Sequence, residues 1–256
     1  MKRLFHILVV AIILSPSTMC QAQNNSRGLY YEITGNTHTA QMDVNNYSKV
    51  YVAPSGDMRQ ETQATIPLMG EIYSVTLSTK NDPSHQTIIN EKTKVYAITD
   101  ALVHQDDESG LTEKAIINND GKETVNGFPC TKLSIIDQGD TTKIWLSDAV
   151  PGNKESINVL SKIMGLDSNS HLIRLIHQEG YKGNWIKFVS PNSNNSPDAV
   201  QVSMEVTKAN YADVLESIMK VPAGYTETKG DPFAVHVHNE TKEEEHFKTN
   251  VKIGKQ

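Results

Sequence analysis

The 256-residue chain predicts an α+β fold, mainly β, built on an antiparallel sheet with two or three short helices. Three observations carry that expectation. The stretch Asp120 to Pro151, DGKETVNGFPCTKLSIIDQGDTTKIWLSDAVP, separates the β-rich runs KETV, CTKLSII and TKIWLS with Asp-Gly, Asn-Gly and Gly-Asp steps. Those steps supply the positive φ that tight hairpins need, so the stretch spells a three-strand meander. Similar period-two runs recur upstream of it and again near the end of the chain. Between these, past Pro151, the apolar spacing changes to three or four residues, which is helical.

The first element lies outside the fold. Lys2 and Arg3 precede an apolar run, Leu4 to Leu14, of signal-peptide length and too short to span a bilayer. Small residues around Cys20-Gln21-Ala22 fit cleavage before Gln23, with residues 1–22 as signal and 23–28 as a flexible leader. A lipidated Cys20 is the competing reading. Met19 disfavours it, because the residue before a lipidated cysteine is normally small. The expectation is a periplasmic or secreted protein with no transmembrane segment.

LYYEIT (29–34) reads as the first strand. YSKVYVA (47–53) is the second, with Tyr47, Val50 or Tyr51, and Val52 competing for its inner face. The polar run DMRQETQATI (57–66) has so few apolar residues that an exposed or edge position is expected. EIYSVTLST (71–79) alternates, with Tyr73, Val75, Leu77 and Thr79 as the inner set. Residues 87–90 and 93–98 look like a hairpin across Glu91-Lys92. Asp100 to Gly110 reads as an acidic loop. The first helix carries Ile157, Leu160, Ile163 and Met164. The second carries Leu172, Ile173, Leu175 and Ile176, capped by Ser168 or Ser170 and ending at Gly180. Their stripes need a sheet face to cover. NWIKFVS (184–190) and AVQVSMEVTK (199–208) return to strand, with Val200, Val202, Met204 and Val206 on one side. Tyr211 to Met219 suggests a last short helix, and VPAGY (221–225) closes a single domain spanning 29–225. Residues 226–256 read as a charged, disordered tail.

Composition narrows the function. A net charge of −6 and a pI of about 5.8, with basic residues scattered, argue against nucleic acid. Without the leader, Cys130 is the single cysteine, so no internal disulfide is expected and a packed core must supply stability. No Gly-x-Ser-x-Gly, His-Glu-x-x-His, phosphate-loop or dinucleotide signature occurs, so neither an enzyme nor a cofactor is expected. Asp106-Asp107-Glu108 reads as a solvated loop.

The order of parts resembles the domain-of-unknown-function 4412 family of exported bacterial proteins. The carrying residues are GLYYEIT, KVYVAPSGDMRQET, VNGFPCTKL (125–133), KIWLSDAVPG and VPAGY. The resemblance implies the shape of the periplasmic lipoprotein carrier, LolA-like: a curved half-barrel sheet with helices in its hollow. It implies no activity, and it does not extend to the mid-chain helices or the tail.

Three sets of side chains are candidates. Cys130 sits in an alternating strand as a small core residue. As a nucleophile it would need a base nearby, and no signature links it to His104, His171 or His177. His236, His238 and His246, with Glu243 to Glu245, form the one metal-like pattern; zinc needs converging ligands, and a solvated tail is the preferred reading. Trp145, Tyr181, Trp185 and Phe188 either fill the core or line a ligand hollow. The expected function is a non-enzymatic binding or scaffold protein of the cell envelope, with a lipid-like ligand or an envelope partner in the hollow. The alternative is a structural or interaction protein whose core is filled by its own side chains.

Overall fold

A computed structural model describes residues 27–39, 42–67, 70–101, 115–137, 139–152, 171–190 and 201–233. The signal, the leader through residue 26, the acidic stretch 102–110, the helix expected around 157–164, the 191–197 loop and the tail from residue 234 lie outside the described residues.

Among the described residues, twelve strands form one large, open, curved sheet. They are β1 (Gly28–His38), β2 (Asp43–Val52), β3 (Met58–Ile66), β4 (Gly70–Thr79), β5 (Asp82–Asn90) and β6 (Val95–Asp100). After these come β7 (Ile116–Val125), β8 (Phe128–Asp137), β9 (Asp140–Ser147), β10 (Asn184–Val189), β11 (Gln201–Ala212) and β12 (Thr226–Glu227). Their order is β12-β6-β5-β4-β3-β2-β1-β11-β10-β9-β8-β7. Every neighbouring pair is antiparallel except β12 with β6. The predicted meander is β7-β8-β9. Its Asn126-Gly127 step, at φ +50° and +81°, is a two-residue hairpin turn with positive φ at both positions. The Asp120-Gly121 step is not a turn: Gly121, at φ +99°, marks a bulge within β7 where the register with β8 shifts.

Alternation decides which residues are buried. On β1, Leu29, Tyr31 and Ile33 point to one face, here the front, and Tyr30 and Glu32 to the other, the back. Tyr31 stands between Val50 of β2 and Ala209 of β11, and Ile33 beside Val206. Val50 and Val52 thereby take the inner face of β2, and Tyr51 the outer. The main core is this front face, with Leu133, Ile135, Ile144, Leu146, Trp185 and Ile186 buried alongside.

A second, smaller core lies on the opposite face. Val75, Leu77 and Ile89 are buried on the back, with Tyr96, Val221 and Tyr225 packed against them. The EIYSVTLST alternation dictates this: Ser74, Thr76 and Ser78 occupy the front of β4, so its apolar residues must face the back. Arg59 fastens the C-terminal segment there. Its Nε lies 2.8 Å from Glu61 and its Nη2 3.1 Å from Glu91, while Nη1 donates to the Ile218 carbonyl at 3.4 Å.

Helix α1 (His171–Gln178) is the one α-helix among the described residues, and Ile176 and Leu172 seat it on the front core. Of the two or three helices expected, α1 is the second, and the first lies outside the described residues. Tyr211 and Ala212 stay in β11 because they pair with Leu29 and Gly28, and only a 3-10 turn, Glu216–Met219, follows. The polar run expected at an edge is β3, an interior strand between β2 and β4. Its polar side chains find partners on β3 itself and on β2: the Ser48 and Thr62 hydroxyls lie 2.9 Å apart, and Gln60 reaches both. Strand β12 lies beyond the boundary expected at Tyr225; Thr226 and Thr228 donate to the Lys94 and Tyr96 carbonyls at 3.0 and 2.8 Å.

Candidate functional site

Three of the four aromatics expected in a hollow meet on the front face. Tyr181 is placed by the end of α1. Gly180, at φ +82°, closes the helix with Gly180 N–H to the His177 carbonyl at 3.0 Å and Tyr181 N–H to the Ile176 carbonyl at 3.1 Å. This six-to-one and five-to-two pairing brings Tyr181 against the core next to Ile176. Phe188 pairs with Ile144 and Met204, and is half-buried. A bulge between Trp185 and Lys187 lets Trp185 and Ile186 both enter the core. Trp185 is 3% exposed, and its indole Nε1 is buried without a hydrogen-bond partner.

Trp145 points the other way, since it alternates with Ile144 and Leu146. On the back face the ammonium groups of Lys132 and Lys187 lie 5.2 and 5.4 Å from its ring centre, a double cation–π contact. Its Nε1 donates to Glu123 at 2.9 Å. Lys187 pairs with Glu205 at 2.8 Å, and Asn126 of the hairpin turn donates to Glu205 at 2.7 Å. Trp145 thus ties β7 through β11 together on the outside.

At the free end of the meander is an open cavity of about 550 Å³. Cys130 and Leu146 line it, together with Lys122, Glu123, Asp148 and Lys182. Burial pushes the Cys130 thiol up, and its Sγ donates to the Phe128 carbonyl at 3.3 Å. A thiol so held is a poor nucleophile. Among the described residues no group of three or more His, Cys, Asp or Glu side chains could hold a metal. His236, His238 and His246 lie outside the described residues. No helix among the described residues is long and apolar enough to cross a membrane, which says nothing of a β-barrel.

The sequence profile of a domain of unknown function, DUF4412, matches residues 36–225. The chain belongs to the DUF4412 family. No curated protein matches it. Similar solved structures include the Pseudomonas aeruginosa MucA/MucB complex, at 13% identity and a TM-score of 0.38, covering 79% of this chain and 58% of that one. LprF from Mycobacterium bovis is similar at 12% identity and TM-score 0.35, covering 82% and 98%. A LolA superfamily protein from Nitrosomonas europaea is similar at 5% identity and TM-score 0.34, covering 81% and 98%. The DUF4412 chain therefore spans less than two thirds of the MucB-containing structure. The family named by the sequence resemblance is the one whose profile matches.

Two clusters in this DUF4412 domain escape a sequence reading. The cavity draws on separate segments that no spacing connects. On the back face, Glu32 accepts from Tyr30 at 2.9 Å and Tyr47 at 2.8 Å and lies 3.3 Å from Lys208. The alternation in YYEIT does put Tyr30 beside Glu32, but Tyr47 and Lys208 join only through the register of β2 and β11.

Proposed function

We propose that this DUF4412 protein is an exported, non-enzymatic binding protein of the cell envelope that holds a lipid-like or other apolar ligand on the front face of its sheet, beneath α1. The buried indole N–H of Trp185, without an acceptor, carries this reading. Leaving such a donor unpaired costs about 1–3 kcal/mol, and a ligand ester or carboxyl oxygen reaching it recovers that cost. Half-buried Phe188, Met204, Tyr181 and Leu172 continue the apolar surface next to it. Gain comes from apolar burial, at about 25 cal/mol per Å² before ordering costs. The basic, apolar leader of Lys2, Arg3 and Leu4 to Leu14 supports export.

A second reading is favoured by the completeness of the core: Leu133, Ile186 and Val206 have no exposed surface. In that case the protein fills its own hollow and serves as a structural or interaction module. Native mass spectrometry of protein purified from its own envelope, with an apolar dye titrated against the Trp145→Phe variant, separates the two. Under the first, lipid copurifies, the dye changes Trp185 emission saturably in Trp145→Phe, and the dye's own fluorescence gain on binding is weaker in Trp185→Phe than in wild type. Absence of lipid together with absence of a saturable response sinks the ligand reading and leaves the second.

A further inference from the structure

We propose a second binding site in this molecule, next to the front-face hollow and independent of it. The cavity at the free end of the meander takes a carboxylate that carries an adjacent N–H donor and a short apolar side chain. A free apolar amino acid and the C-terminal residue of a peptide share that chemistry.

The charges around the cavity are unbalanced in a specific way. Glu123 is already engaged, by the Trp145 indole at 2.9 Å and by Lys132 at 3.8 Å. Lys122, Lys182 and Asp148 have no ion pair or hydrogen bond to a side chain among the described residues. Two free ammonium groups and one free carboxylate thus surround a single space, leaving one positive charge in excess. That arrangement fits a mono-anion that also offers a donor, because charge-assisted hydrogen bonds are the strong ones.

The backbone holds this arrangement in place. Gly183, at φ +106°, presses so closely on the end of β9 that a Cβ there would meet the Ser147 backbone at 2.8–2.9 Å and the Asp148 carboxylate at 3.0 Å. Only glycine lets Lys182 and Asp148 come to the same cavity. The Ser147 hydroxyl, 2% exposed as a residue, donates to the Pro129 carbonyl at 2.8 Å and accepts from Ala149 N–H at 3.2 Å, which fixes the turn. Asn184, paired in register with Ser147, keeps a buried Oδ1 with no donor but does not line the cavity, where the acceptor open to a ligand N–H is Asp148. Cys130, Pro129 and Leu146 supply the apolar floor. The volume of about 550 Å³ lies within the usual range for small-molecule sites.

The test is calorimetric titration of the full chain with leucine, N-acetyl-leucine, the tripeptide Gly-Gly-Leu and the C-terminal amide of that tripeptide. Saturable binding of a free carboxylate and its loss in the amide are expected. The Lys122→Met/Lys182→Met double variant, altered at exposed positions, should bind about tenfold to a hundredfold more weakly, and Gly183→Ala should bind more weakly as well. Bound ligand should also slow alkylation mapped to Cys130. Leucine binding without the tripeptide assigns a free amino acid, and the converse assigns a peptide C-terminus; either supports the site. Equal binding of amide and carboxylate, wild-type affinity in the double variant, or no saturable binding up to millimolar ligand overturns it. Trp185→Phe should leave this binding unchanged, so the cavity and the front-face hollow stand or fall separately.

Discussion

Glu32 shows how one carboxylate can organise a sheet face. Hydrogen bonds from Tyr47 and Tyr30, and then Lys208, hold its carboxyl below its ordinary value of 4.5. A carboxylate depressed on folding adds stability that is complete above the unfolded value and is lost as pH falls through the folded one. Glu32→Gln should therefore destabilise at neutral pH, and the gap to wild type should close as pH drops below about 4. Urea unfolding at several pH values measures this; a gap independent of pH would refute the assignment. Tyr73 belongs to the same face, and burial, with Glu61 and Glu91 adding to it, pushes its hydroxyl up to about 12. An ultraviolet titration, compared with Tyr73→Phe, should show one tyrosine ionising near that value. At this scale the sequence was legible where chemistry is local. Cys130 reads as a core residue from its strand and is one. Trp145 was harder, because its neighbours Lys132, Lys187 and Glu123 come from three other strands, and only register shows them converging.

Helix α1 is the element whose sequence and structure agree most closely. Leucine and isoleucine at helical spacing predict its buried side, and Gly180 predicts its end, because the left-handed residue that closes the last turn costs a non-glycine side chain. Replacing Ile176 by Ala should cost about 2–4 kcal/mol, and Gly180→Ala about 1 kcal/mol, each read as a shift in denaturant midpoint. The 211–219 segment carries a comparable apolar content and stays extended through Ala212. Strand pairing with β1 outweighs intrinsic preference there, and preference is all that a short window contains. The same holds for β3. Its polar composition suggests an edge, yet an interior strand needs only partners for its side chains, and Ser48, Glu61 and Glu91 provide them.

The whole sheet was predictable in class and in its meander, while its order was not. Pairing of β1 with β11 joins residues far apart in sequence, and no local pattern announces it. The consequence for stability is testable at the C-terminus. Truncation after Tyr225 removes the backbone hydrogen bonds to the Lys94 and Tyr96 carbonyls and the Asn90 contact to the Pro232 carbonyl at 3.0 Å. Each is worth about 0.5–1.5 kcal/mol, so thermal unfolding should occur at a lower temperature, and amides of β6 should exchange faster. An unchanged melting temperature would show that β12 adds nothing. The cover of Val75, Leu77 and Ile89 has a further implication for biogenesis. Strands β1 to β6 leave the ribosome long before Val221 and Tyr225 arrive to dry that face, and β1 must likewise wait for β11. A nascent chain thus presents a wet, greasy ribbon for most of its emergence, a natural target for a holding chaperone and for premature clumping when synthesis stalls.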